Sequence, residues 1–307
     1  MELRLKEVAM FDKSAILFCY TETPLHAGSG TSLGIVDLPI QRERATGYPM
    51  VQASSLKGCL RDIANRTDKK NVEIVFGPEQ DPSAHAGALS VGDARILLFP
   101  VRSLVGVFAW VTSQNVLARF RRDAQLAELS VDWTETGPGA DNAAFVAQDS
   151  MVVANERVVL EEFAFEAQTN TAVKQIADWL AQQALPVSDE YRYWRETLAK
   201  RLVILPETAF RDFVQFSTEV VSRVRIDDVK KTVAQGALWT EEHLPSDTLL
   251  YATLFASKPR VNSNLSELQD AQAVLNFVKG CVDGRRMQLG GDSTVGRGFV
   301  KVRLVQQ

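Results

Sequence analysis

The chain has 307 residues, 46% of them hydrophobic, and 34 basic against 38 acidic side chains give a formal net charge of -4. A chain of this size buries roughly three quarters of its unfolded surface, as one large domain or two small ones. The acidic balance excludes a protein that coats nucleic acid indiscriminately, so any surface for an anionic polymer has to be local. Cys19, Cys59 and Cys281 are odd in number and far apart. That spacing excludes a zinc site or disulfide framework and fits small buried residues in a reducing cytoplasm. The N-terminus lacks the apolar stretch of a signal peptide and no run reaches bilayer length, so the expected location is cytoplasmic, with no membrane partner.

In chain order, residues 14–23 set Ile16, Phe18 and Tyr20 against Leu17 and Cys19, a strand apolar on both faces. A glycine-rich loop, 26–49, follows. Ser54 and Ser55 then stand where a helix cap belongs, and Leu56, Leu60, Ile63 and Ala64 recur at helical spacing. Strands are predicted over 89–101 and 105–111, and Thr112 or Ser113 caps a basic helix carrying Arg119, Arg121 and Arg122. Further strand-like runs occupy 151–154 and 158–165, and 171–185 is an amphipathic helix stopped by Pro186. A hairpin is expected over 221–240, where Val224, Ile226, Val229 and Val233 interleave with Arg223, Arg225, Lys230 and Lys231. A strand at 249–256, a helix at 265–282, the loop GGDSTVGRG and an alternating strand at 299–305 complete an α+β chain.

The chemistry concentrates in two places. Residues 41–66 carry Arg42, Arg44, Lys57, Arg61 and Arg66 against only Glu43 and Asp62. Lys57 and Arg61 lie four apart on one helical face, and Lys57 sits near the positive end of the helix dipole; both placements are unfavourable without an anion. A phosphate there would meet free amides, the hydroxyls of Ser54 and Ser55 and both cations. The same residues also suit a solvated basic face. In the second place, Gly290, Gly291, Gly296, Arg297 and Gly298 nearly match a phosphate-binding P-loop. The match fails because Arg297 stands for the lysine, Gly298 for the Ser or Thr, and a strand follows instead of a helix, which argues against a nucleotide triphosphatase. Glycines this dense let backbone amides approach a nucleic-acid backbone, or simply make a tight connection.

The segment TPLHAGSGTSLGIVDLPIQRERATGYPMVQASSLKGCLR (23–61) closely resembles the signature of the RAMP superfamily, and LGGDSTVGRG (289–298) resembles its C-terminal glycine-rich loop. IVDLPIQRE is similar to the backbone-subunit branch found in the type III-B CRISPR effector, the Cmr complex. The resemblance implies a modified ferredoxin-like, RRM-like palm spanning 1–307, with insertions and a protruding thumb at 221–240. It further implies copies stacked along a guide RNA beside other Cmr subunits, with each thumb kinking the guide–target duplex. The resemblance also implies that target RNA is cut with a divalent metal, Mg or Mn, at the acidic residue of the IVDLP loop. That role carries over to Asp37, with His26 and Glu241 nearby; Glu242 adjoins Glu241 and could be the matching position. Asp37 could instead pair with Arg42 or Arg44 and shape the loop. A scaffold without nuclease activity and a free-standing guide-precursor endoribonuclease are the alternatives. The second would call for a better general base than any recognisable site presents.

Overall fold

The computed structural model describes residues 11–81, 83–227, 230–260 and 268–306. The chain opens with β1 (Lys13–Thr21), β2 (Met50–Val51), α1 (Ala53–Thr67) and the short α2 (Val72–Phe76). Next come β3 (Leu89–Val91), β4 (Ala94–Arg102), β5 (Phe108–Ser113), α3 (Gln114–Leu126), β6 (Ala143–Val146), β7 (Val153–Ala154), β8 (Arg157–Leu160) and β9 (Phe163–Thr169). Helices α4 (Thr171–Gln183), α5 (Arg192–Arg201) and α6 (Glu207–Phe216) follow, with β10 (Leu202–Leu205) between the last two. The chain finishes with β11 (Glu219–Ile226), β12 (Val233–His243), β13 (Leu249–Ala256), α7 (Ala271–Val282), β14 (Arg286–Gln288) and β15 (Phe299–Val305).

One large, mostly antiparallel sheet runs β14-β15-β1-β13-β4-β5-β10-β6-β9-β8-β7, with β2 on β4 and β3 on β13. β11 and β12 form a separate two-stranded sheet, as expected of the hairpin. β1 lies between β13 and β15, with Leu17 opposite both Ala252 and Leu304. Helix α7 packs on β1, β13, β15 and α1, and Phe120 of α3 lies 5.8 Å from Phe18. Covered in this way, Ile16, Leu17, Phe18 and Cys19 are wholly buried, which is why β1 is apolar without alternation. Each such large side chain contributes about 1.5–3 kcal/mol.

Several expected elements change. The strand at 89–101 breaks at Gly92, where a Cβ would lie 2.6 Å from Thr253 Oγ1. The strand expected from 105 starts at Phe108, because Gly106 and Val107 turn with φ of 75° and 76°. The run 151–154 shrinks to β7, and 158–165 divides into β8 and β9 at a turn holding Glu161 at φ 49°. Ser113 does cap α3, accepting from the Val116 amide. Ser54 and Ser55 do not cap α1: the cap position is Gln52, and the first amide, Ala53 N, donates to Asp93 Oδ1 at 2.8 Å. Helix α4 ends at Gln183, short of 185. Helix α7 starts at Ala271 behind an Asp270 cap, not at 265; residues 265–267 lie outside the described residues. All three cysteines are free, with Cys19 and Cys281 buried. Among the described residues no helix is long and apolar enough to cross a membrane.

Candidate nucleic-acid interface and active site

The fold joins the two sequence motifs. A groove of about 400 Å³ is lined by Ala27 and Gly28 of the first loop, Ser54, Ser55 and Gly58 of α1, and Gly290 and Gly291 of the second loop. The two loops are stitched together by Gly291 N donating to His26 O at 2.8 Å and by Gly298 N donating to Pro24 O at 2.9 Å. Gly290 (φ 77°) and Gly298 (φ 74°) are required there, since a Cβ would lie 2.3 Å from His26 O or 2.0 Å from Leu289 O. Gly296 has φ 78° but nothing within 4 Å of its Cβ position, so its constraint is conformational. The loop turns the chain from β14 into β15, an antiparallel pair.

The cations of this region divide into committed and uncommitted groups. Arg42 donates to Gly47 O (2.8 Å), Val214 O (2.9 Å) and the Glu242 carboxylate, so it serves the fold. Arg61 pairs with Glu79 at 3.1 Å. Among the described residues Lys57 and the exposed Arg44 have no ion pair. Burial, then the neighbouring charge of Arg61, holds the Lys57 ammonium below its ordinary range, so a phosphate would relieve both effects. Arg297 reaches Glu219 at 3.7 Å.

Asp37 is exposed and pairs with neither Arg42 nor Arg44. Its Oδ2 accepts from Thr240 N at 2.7 Å and Thr240 Oγ1 at 2.9 Å, and its own amide donates to Thr240 Oγ1 at 3.0 Å. The Thr240 amide first, then its hydroxyl, holds the Asp37 carboxyl below the ordinary carboxylate range. The loop is thereby pinned to β12, with Leu38 bridged to Glu241, while Leu33 and Ile35 at its tip are fully exposed.

Strand alternation along β12 separates the two candidate glutamates. Glu242 faces the first loop, where Ile40 N (3.0 Å), Thr218 Oγ1 (2.7 Å) and Arg42 all donate to it. Glu241 instead accepts from Trp239 Nε1 at 2.7 Å and Arg223 Nε at 2.8 Å. Burial pushes its carboxyl up, but those donors outweigh burial and hold it below the ordinary range. His243 follows on that face, wholly buried, with Nε2 3.9 Å from Glu241 and 3.6 Å from Asp292. Burial, then the charges of Arg297 and His26, lowers the His243 pKa. His26 connects the faces: its Nδ1 lies 2.7 Å from Glu242 O and its ring 5.4 Å from that of His243. Among the described residues no hydrogen bond or ion pair joins Asp37 to His26 or Glu241.

His243 and Asp292 escaped the sequence reading. The available signal was that His243 stands two residues after Glu241 on a strand, hence on its face. At the hairpin, Arg223 turns inward to Glu241, while Arg225, Lys230 and Lys231 are exposed beside exposed Val224, Ile226, Val233 and Leu238. Val229 lies outside the described residues.

Comparison with known proteins gives these motifs a context. The RAMP superfamily model matches residues 18–301. The chain is 43% identical over 300 residues to the CRISPR system Cmr endoribonuclease Cmr4 of Pyrococcus furiosus, covering 95% of this chain and 96% of that one. It is 25% identical to the CMR subunit Cmr4 of Saccharolobus solfataricus, over 93% and 94% of the two chains. Among solved structures, oligomeric Cmr4 from Pyrococcus furiosus superposes with a TM-score of 0.74 at 35% identity, covering 96% of this chain and 98% of that one. A chain of type III-B Cmr-beta bound to cognate target RNA shares the fold, with a TM-score of 0.68 at 22% identity over 96% and 98% of the two chains. The match from residue 18 to 301, together with 43% identity across nearly the whole length, shows that this chain belongs to the RAMP superfamily.

Proposed function

We propose that this chain is a guide-RNA-binding backbone subunit of a cytoplasmic type III-B CRISPR (Cmr) ribonucleoprotein and an endoribonuclease acting on RNA complementary to the guide. The observation that carries this reading is the groove where Ser54, Ser55 and Gly58 meet Gly290 and Gly291, with uncommitted Lys57 on the same helix. Backbone amides and small side chains there suit a phosphodiester chain, whose phosphates position a strand without reading bases. The strand order β15-β1-β13-β4, entered through α1 and α7, supports a modified ferredoxin-like palm within a single domain, with the hairpin as its thumb. The relatives, a Cmr endoribonuclease and an oligomeric Cmr4, support both the activity and the stacking of copies beside other Cmr subunits.

Asp37 is the proposed residue at the cut. An acidic group beside an RNA phosphate repels it unless a cation intervenes. Thr240's donors both reach Oδ2, which leaves Oδ1 for such a cation, and the depressed pKa keeps the carboxylate charged. One carboxylate plus a substrate phosphate suits Mg(II) or Mn(II), which when bound supplies charge stabilisation at the phosphate. His26, with Nδ1 held at Glu242 O, keeps Nε2 for proton transfer, and Glu241 is carried as the neighbouring acid. Asp37→Asn tests the reading, because it keeps shape and removes charge. In complex reconstituted with guide, complementary target and Mg(II) or Mn(II), the variant should bind target and cut it at least about 100-fold more slowly. Cleavage at the wild-type rate would leave the chain as scaffold alone.

A further inference from the structure

RNA cleavage at Asp37 does not account for His243 and Asp292, which lie with Glu241 on the far face of β12. Glu241, His243 and Asp292 offer one ligand atom each, all within 4.8 Å of one another. His243 is wholly buried, yet neither of its ring nitrogens has a hydrogen-bond partner among the described residues; Asp292 Oδ2 and a terminal nitrogen of Arg223 also lack a hydrogen bond and face each other as an ion pair at 3.7 Å. Orphaned buried polar groups each cost about 1–3 kcal/mol, so a wholly buried imidazole aimed at two carboxylates without a bond calls for a ligand between them. Four-coordinate ions with bonds near 2.1 Å hold their donors roughly 3.4 Å apart. The separations of 3.6 and 3.9 Å from His243 Nε2 need little closure to reach that spacing.

We propose that Glu241, His243 and Asp292 form a second metal site, selective for a divalent transition ion of the Zn(II) and Co(II) class, that clasps the hairpin to the C-terminal glycine loop. The imidazole donor selects such ions over Mg(II), which prefers oxygen and near-octahedral geometry. Asp292 stands at φ 61°, a left-handed conformation that sets its carboxylate beside β12. Arg223, bonded to Glu241 Oε2 at 2.8 Å, is the outer partner that orients a ligating carboxylate, and Trp239 holds the other oxygen. The site joins two segments remote in sequence, so the ion would fix the thumb's root on the palm. Glu241 then acts as a positioning residue for the RNA site.

The test is titration of the purified, metal-stripped full chain with Co(II), read by its visible d–d absorption. We expect one Co(II) per chain, displaced by Zn(II) and not by a large excess of Mg(II). Asp292→Asn and His243→Phe should each weaken Co(II) binding by more than the about 10–100-fold that loss of an outer-shell partner costs. His243→Cys, which restores a ligand, should recover binding, while Asp37→Asn should leave it unchanged and so separates this site from the cleavage site. Should His243→Phe fail to fold, the part-exposed Asp292 decides the matter. The proposal is overturned by absence of a d–d spectrum in the wild-type chain, by binding unchanged in Asp292→Asn, or by binding lost in Asp37→Asn.

Discussion

Strands β1 and β11 are of similar length and both rich in apolar residues, yet they end in opposite environments. β1 has β13 on one side, β15 on the other and helices packed against it, and its Ile16, Leu17 and Phe18 are wholly buried. β11 has β12 alone, and Val220, Val224 and Ile226 stay exposed beside Arg225. An isolated two-stranded ribbon is marginal in water. An apolar and basic ribbon fits a surface completed by something outside the chain, which the proposed function supplies as RNA and neighbouring copies. The contrast extends to charges: Arg42 and Glu43 are consumed by the fold, whereas Lys57 is half-buried with no ion pair among the described residues.

If β1 works only for stability, Leu17→Ala should destabilise the chain by about 2–5 kcal/mol, measured by chemical denaturation. A loss below about 1 kcal/mol would mean that the sheet centre is less closely packed than its burial implies. Next in size is the internal ion cluster. Glu43 accepts from Arg119 at 2.7 and 2.9 Å and from Thr46 at 2.7 Å. Burial pushes its carboxyl up, but these bonds prevail and lower the pKa from 4.5. A depressed carboxyl contributes stability present above the unfolded value and lost as pH falls through the folded one. Glu43→Gln should therefore cost about 1–3 kcal/mol at neutral pH, and the gap should shrink as pH drops below 4.5. A gap that is independent of pH would deny the charge its role.

On the uncommitted side, Lys57→Ala with Arg61→Ala should leave sequence preference intact and flatten the salt dependence of guide binding, by about 0.7 per lost contact. Because Arg61 already has Glu79, Lys57 should account for at least half of the change. An unchanged slope in a folded double variant removes both from the RNA surface. The smallest effect should come from the hairpin: Val224→Ser with Leu238→Ser should move the stability of the isolated chain by no more than about 0.5 kcal/mol, while impairing assembly on guide RNA. A large loss of stability would show that the ribbon packs on the large sheet of its own chain after all.

What the sequence made legible followed strong local signals. β1, β15, the body of α1, the Ser113 cap and the hairpin all carry periodicity or cap chemistry within a few residues. β10 went unseen because Leu202–Leu205 is a four-residue apolar run, inseparable by periodicity from the end of a helix. The cap of α1 was misplaced because the acceptor of its first amide is the carboxylate of Asp93, forty residues on and just before β4. The candidate site shows the same division. Asp37, His26 and the glycine loop were readable as motifs, whereas the pairing of His243 with Asp292 arises only when β12 meets the second loop. The choice between Glu241 and Glu242 rested on a half-period of a strand, which adjacent identical residues cannot reveal.

The position of β1 between β13 and β15 in the large sheet has a consequence for how the molecule is made. Leu17 emerges from the ribosome early, but its cross-strand partners Ala252 and Leu304 come nearly a whole chain later. Closure over such a separation is entropically costly and slow, and until then an apolar strand with two open edges waits in the nascent chain. Cells that produce many copies at once would therefore rely on holding that segment apart during translation, and expression temperature should govern yield more than stability of the finished fold does.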